Sequence, residues 1–396
     1  MKEVIDAKLC YGCGACAKLC PVGCISMERD EKGFLYPVID QERCIDCGTC
    51  RKNCIAGQYG KDGQKANAPA VCIGVHKDEE IWMNSASGGA FSAIVKALEQ
   101  ENFVVFGAGY ASENQVAHSY ADNEEKTQAF RKSKYVQSYM GDSYQTAEAF
   151  LKEGKRVVFS GTPCQIAGLY AALGRDYPDL YTIDLICTGV VSPQLYEKFL
   201  TFLEKKYKSG VVKVDMRYKV KNKEGWNIGD TQVTFGDGRR IRNRDSRLYR
   251  QLYGQKTAYR ESCYNCQFAN SDRIGDITIG DWWGSLDRLP EVKEHKGISL
   301  ILFNSEKGKE LMEAVRQNMY MEKIDLDAAL ADNPTLSHAT ARSRRCDELW
   351  RDFAGMKDAA FLKKYARPPL KIYIPWVISR IIPASFRRKI RKLVGR

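Results

Sequence analysis

Histidine is scarce, with four residues in a chain of 396. So few argue against a haem or a histidine-rich metal site. No run approaches the ~18 apolar residues that a bilayer-spanning helix needs. The opening residues, MKEVIDAKLCYGCG, hold neither an apolar core segment nor a small-residue cleavage site, so no secretory signal is expected. A GxGxxG nicotinamide fingerprint is also missing, because Gly107 and Gly109 lack the third glycine. Acidic residues are absent from one stretch. Residues 371–396 carry eight Lys or Arg and no Asp or Glu, leaving about +4 of the net +12 for the rest. The positive charge is therefore local. A nucleic-acid partner is not expected, since cations interleaved with base-stacking aromatics are lacking elsewhere.

What the chain has in quantity is cysteine, fifteen in all. Disulfide scaffolds are short and exported, and neither is expected here. A reducing, cytoplasmic setting makes grouped cysteines metal ligands or redox groups. Two groups repeat one pattern about 34 residues apart: Cys10, Cys13, Cys16 and Cys20, then Cys44, Cys47, Cys50 and Cys54. C-x2-C-x2-C wraps three thiolates around one small cube, and in two-cluster ferredoxins the fourth comes from the other motif. One 4Fe–4S cluster is therefore assigned to Cys10, Cys13, Cys16 and Cys54, and the other to Cys44, Cys47, Cys50 and Cys20. Zinc also takes four thiolates, but tandem runs of this spacing are far more specific for clusters. Gly12, Gly14 and Gly48 let the backbone approach the sulfides. Cys24, Cys72 and Cys346 read as buried apolar side chains.

The fold class expected is an α+β ferredoxin-like N-terminal domain followed by an α/β domain with a mixed sheet. Residues 1–58 form the two-cluster domain and 59–69, polar and Gly-rich, a linker. Over 70–366, strand-like runs (Phe103 to Phe106, Arg156 to Phe159, Tyr181 to Ile186) alternate with helix-like ones (Ala90 to Leu98, Gln165 to Leu173, Gln194 to Lys206). A Gly-Asp-Gly turn between TQVTF and RRIRN predicts a hairpin. Residues 306–320 and 342–365 look helical. A basic amphipathic tail occupies 367–396. Trp376 and several Ile among its cations fit a segment lying peripherally on the inner face of a membrane. A helix docked on the body with a solvated basic face fits as well, and Pro375 and Pro383 interrupt any long helix.

Five segments of the larger unit look like more than scaffold. Ser85 to Gly89 forms a small-residue turn ahead of a helix, a place where free N–H groups can face an anion. Residues 131–138 (RKSKYVQS) set cations beside hydroxyl and aromatic groups. VVFSG runs into Thr162-Pro163-Cys164-Gln165, a strand, turn and helix of the kind that binds ligands at carboxyl ends of strands. Cys187 to Pro193 follows another strand. Cys263-x2-Cys266 precedes Arg273 and DITIGDWW. Over roughly residues 70–290 this combination resembles the beta-subunit family of coenzyme F420-reducing hydrogenases and dehydrogenases, and residues 1–60 resemble the two-cluster ferredoxin unit of many relatives. Plant and cyanobacterial relatives reduce a chlorophyll intermediate, so the fold does not fix the substrate.

The resemblance implies FAD in contact with an iron–sulfur chain. It implies Ser87, Gly88 and Gly89 at the FAD pyrophosphate, Lys134, Tyr135, Gln137 and Ser138 along the flavin or its phosphates, and Thr162 and Gln165 near the isoalloxazine. Cys164, Cys187, Cys263 and Cys266 would hold a third 4Fe–4S cluster, with a redox-active thiol, zinc or plain core packing as rivals. The function expected is a flavin- and iron–sulfur-dependent oxidoreductase. It would pass electrons between a ferredoxin or other redox protein and a small acceptor such as a deazaflavin. A non-catalytic relay subunit of a larger complex is the alternative.

Overall fold

The computed structural model describes residues 3–58, 68–111, 115–220, 230–284 and 286–367. The expected linker lies mostly outside the described residues, and the basic tail beyond Arg367 lies wholly outside them.

The N-terminal unit is a hairpin of β1 (Ile25–Arg29) and β2 (Leu35–Ile39) with two short helices, Ala15–Leu19 and Thr49–Lys52. Each helix starts directly after a glycine in the left-handed region, Gly14 at φ 80° and Gly48 at φ 72°. A Cβ is disfavoured there, which accounts for glycine at the same point of both repeats.

The larger unit contains β3 (Ala70–His76), β4 (Phe103–Tyr110), β5 (Val116–Ala121), β6 (Arg156–Gly161), β7 (Leu180–Leu185), β8 (Val211–Asp215), β9 (Gln232–Phe235), β10 (Arg240–Ile241), β11 (Ile277–Trp282), β12 (Ile298–Phe303) and β13 (Met319–Lys323). Eight of these form one sheet in the order β13-β3-β12-β11-β7-β6-β4-β5. The centre, β4, β6, β7 and β11, is parallel, and the flanking strands are antiparallel. The expected mixed sheet is thus present. β12 reads ISLILF and is buried at every position. Its residues divide between two cores: Ile301 and Phe303 pack on one side with the helix Ala90–Leu98, and Ile298, Leu300 and Leu302 on the other with Trp282 and Leu336. Each such side chain contributes roughly 1.5–3 kcal/mol by leaving water. β8, β9 and β10 form a separate three-stranded sheet that includes the predicted hairpin.

The predicted helices form at Ala90–Leu98, Pro163–Leu173 and Pro193–Tyr207. Two expectations need correction. The helical stretch at 306–320 ends at Asn318, because Met319–Lys323 pairs with β3 as an edge strand. Residues 342–365 form two helices, Arg345–Gly355 and Asp358–Ala366, parted by an extended Met356. Among the described residues no helix is long and apolar enough to cross a membrane.

Candidate functional site

Cys54 lies beside the first half of the repeat. A small cavity is lined by Cys10, Cys13, Cys16 and Cys54, with apolar Val4, Met27, Pro37 and Ile55 around them. Burial pushes the Cys16 thiol up to about 12, and the neighbouring Cys10 and Cys54 sulfurs push the same way. Cys54 is raised by burial and by Cys10 and Cys50. Crowded, dry thiolates need a cationic partner. The Gly12 amide points at Cys10 Sγ, 3.4 Å away, as amides do around cluster sulfurs. Donor set, apolar wall and amide all suit a 4Fe–4S cube. Cys20 stands with the second group. Its charge acts on Cys47 and Cys50, and Cys24 feels both Cys20 and Cys44. Cys24 is buried, with its Sγ 3.4 Å from that of Cys20. Cys72 and Cys346 are buried as expected.

The remaining four cysteines come from distant segments. Cys164 sits in the first turn of the helix Pro163–Leu173, Cys187 follows β7, Cys263 lies within the short turn Glu261–Asn265, and Cys266 directly follows it. The fold brings them together. Burial lifts Cys164 to about 12, with Cys266 and Cys187 adding to it. Burial likewise lifts Cys187 to about 12 with Cys263 and Cys266 adding, and Cys263 to about 12 with Cys164 and Cys266 adding. Four convergent thiolates without a histidine match the chemistry of a 4Fe–4S cluster.

This group and the first cage are neighbours. A Cβ on Gly168 would lie 3.2 Å from Cys13 Sγ, so glycine there lets the first cage rest on the helix Pro163–Leu173. Cys164 lies one turn earlier, about 6 Å along the axis. Tyr11 fills the space between. Its ring packs edge-on against Phe268 at 5.2 Å and its hydroxyl accepts from the Gln267 amide.

The expected flavin residues fall in separate groups: the Ser87–Gly89 turn lies against β3 and β12, and Ser138 and Gln165 lie with His118 of β5. Most are engaged with protein. Ser87 Oγ donates to the Ile298 carbonyl at 2.6 Å. Gly88 lies against β3 and β12, where a Cβ would meet Gly74 O at 2.1 Å, so close packing requires this glycine. Gly89 caps the helix Ala90–Leu98 at φ 95°. Gln165 Oε1 accepts from the Thr162 amide, half of a capping box. Gln165 Nε2 donates to Ser138 Oγ, and His118 Nε2 faces the Ser160 carbonyl at 3.0 Å. A carbonyl only accepts, so His118 carries its proton on Nε2 and Nδ1 accepts from Ser138. Burial holds this histidine down at about 4. Gln137 Nε2 donates to the Tyr11 carbonyl, which ties it to the first cage rather than to the pyrophosphate turn. Lys134 Nζ donates to the Ala129 and Arg131 carbonyls, and burial lowers it to about 7.

Sequence reasoning missed the cations beside the Ser-Gly-Gly turn. Arg217 forms a two-pronged pair with Asp281 at 3.0 and 3.1 Å, and it donates to the Tyr135 hydroxyl and the Ala86 carbonyl. Burial raises the Tyr135 phenol, but Arg217 and Arg250 outweigh it and the net shift is downward. Lys219 Nζ donates to the carbonyls of Trp82 and Ser87, and burial with Arg217 and Lys132 nearby holds it well below the usual lysine range. The only sequence signal was Asp281, inside DITIGDWW.

Comparison with known proteins agrees with this anatomy. Residues 9–58 match a 4Fe-4S dicluster domain. Residues 154–329 match the family described as the C-terminal part of the coenzyme F420 hydrogenase/dehydrogenase beta subunit. No curated protein matches the chain. Among solved structures, a chain of the F420-reducing [NiFe] hydrogenase complex from Methanosarcina barkeri is similar at 19% identity, over 76% of this chain and 91% of that one, with a TM-score of 0.44. The chain is thus an iron–sulfur redox protein in which a 4Fe-4S dicluster domain over residues 9–58 precedes a segment, residues 154–329, that matches the C-terminal part of the coenzyme F420 hydrogenase/dehydrogenase beta subunit.

Proposed function

We propose that the chain is an FAD-dependent iron–sulfur oxidoreductase that moves electrons from a ferredoxin-type carrier to a small two-electron acceptor, with a deazaflavin of the F420 type as first candidate. The observation that carries this is the convergence of Cys164, Cys187, Cys263 and Cys266 next to the first cage. Bound clusters carry single electrons and a bound flavin exchanges one or two, which joins such a carrier to such an acceptor. The twelve cysteines named would hold three clusters. The Ser87–Gly89 turn, with the Arg217 guanidinium behind it, would present positive charge to the pyrophosphate. Tyr135 packs at a tilt against Tyr253, ring centres 4.1 Å apart, and offers an aromatic wall. The tail would add peripheral membrane contact.

Anaerobic reconstitution followed by iron and flavin analysis tests the proposal. About twelve irons and one FAD per chain, with flavin reduced by the carrier, are expected. About eight irons would refute the third cluster. One observation favours the relay alternative: Gln137, Ser138 and Gln165 direct their polar groups inside the protein. Protein with full iron and no flavin would decide for the relay.

A further inference from the structure

Arg260 is the largest fully buried side chain among the described residues, at 0% exposure. Its Nε donates to the Cys10 carbonyl at 2.6 Å, and Ser262 Oγ donates to the same oxygen at 2.9 Å. Nη1 donates to Gln137 Oε1 at 3.2 Å. Nη2 finds no acceptor. The guanidinium lies over the Tyr36 ring at 4.1 Å from its centre. Among the described residues no carboxylate pairs with it, whereas buried Arg273 has Asp184 and buried Arg217 has Asp281.

A guanidinium stays charged in any protein setting. Buried without a counter-ion it is costly, and an orphaned N–H adds to the cost. The negative charge that faces it is sulfur. Cys10 belongs to the first cage, and Cys164 and Cys263 of the other group both feel the Arg260 charge. Arg260 therefore stands where the two cages meet. Four thiolates on a four-iron cube leave net negative charge, and reduction adds one more unit. A fixed cation in a dry site favours the reduced form.

We propose that Arg260 is the positioning residue at this joint, raising the reduction potential of the clusters on either side so that electrons entering from the outer cluster are drawn inward. The proposal rests on the three-cluster reading above. In each step one cluster gains one electron from a reduced low-potential carrier, and no bond or proton changes.

The test uses full-length, anaerobically reconstituted protein, reduced stepwise with dithionite and followed by electron paramagnetic resonance. In R260Q, the reduction equilibrium of a cluster beside Arg260 should fall at least tenfold, about 59 mV for one electron. R260K, which keeps the charge, should stay within about threefold of wild type. The cluster held by Cys20, Cys44, Cys47 and Cys50 should not move. R260Q with full iron and unchanged potentials overturns the proposal, and so does R260K shifted as far as R260Q. If R260Q fails to load iron, Q137E sets a carboxylate against Nη1 and should lower the same potential. An unshifted, fully loaded Q137E also overturns it. About eight irons in wild type would refute the third cluster instead, and Arg260 would then be judged on the first cluster alone.

Discussion

The two halves of the cysteine repeat share a backbone and differ in everything that surrounds it. The residue before the second cysteine is left-handed in both, Gly12 at φ 66° and Asp46 at φ 54°. Around Gly12 there is no room: a Cβ would meet Gln137 Nε2 at 2.6 Å, Arg260 Nη1 at 2.8 Å and the Leu35 carbonyl at 2.8 Å. Asp46 lies at the surface, where a short polar side chain tolerates this conformation. The residue before it is Tyr11 in the first half, 8% exposed, and Ile45 in the second, 63% exposed. Cys47 is exposed as well. One duplicated loop has become an inward joint and the other an outward contact. The two copies therefore differ in whether the cysteine loop is packed against the larger unit or open to solvent.

The sharpest way to break this contrast is to remove a crossing cysteine. Cys54→Ser should cost about four irons and leave the outer cluster reducible while the inner sites stay oxidised. Stopped-flow spectra with a reduced carrier would show one fast phase and no transfer inward. The reverse result, inner sites still reduced at wild-type rate, would mean that the first cage is not on the route.

Gly12→Ala should lose about 2–4 kcal/mol, from left-handed strain and the clash with Gln137 and Leu35. Asp46→Gly, its counterpart, should stay within about 0.5 kcal/mol of wild type. Denaturant melts of both variants under anaerobic conditions compare them directly. Equal losses would erase the difference between the halves.

The inner side also rests on neutral His118, whose Ser138 partner adjoins Gln137. Its folded value of about 4 lies below the unfolded 6.5. The unfolded chain therefore binds the proton first. Stability is whole above about pH 6.5 and falls by roughly 3 kcal/mol as pH drops to about 4. His118→Gln should flatten that slope in melts taken across this range. The smallest effect belongs to the outer face. Ile45→Glu should leave stability within about 0.5 kcal/mol and slow reduction by an acidic carrier severalfold, read from the salt dependence of the rate.

Much of this was legible from the chain. The cysteine spacing named both crossovers, and Cys54 does line the first cavity. Strand and helix periodicity placed β4, β6 and β7 and the helices Ala90–Leu98, Pro163–Leu173 and Pro193–Tyr207. β13 was hidden because MYMEK, at the end of a helical run, acquires strand character only by pairing with β3. The flavin-side assignments gave positions but not partners. Ser138 and Gln165 look like ligand contacts in sequence, yet their hydrogen bonds close within the fold. Arg260 had no signal at all. A lone arginine three residues before Cys263 gains its meaning from Cys10, some 250 residues away.

The open position of Cys47 has a price for the molecule's lifetime in air. A sulfur within reach of a carrier is within reach of oxygen and peroxide too, and exposed thiolates oxidise first. Damage would start at the outer cluster and leave the buried cages loaded. Such a protein would keep its colour and its shape and yet be disconnected, like a battery with a corroded terminal.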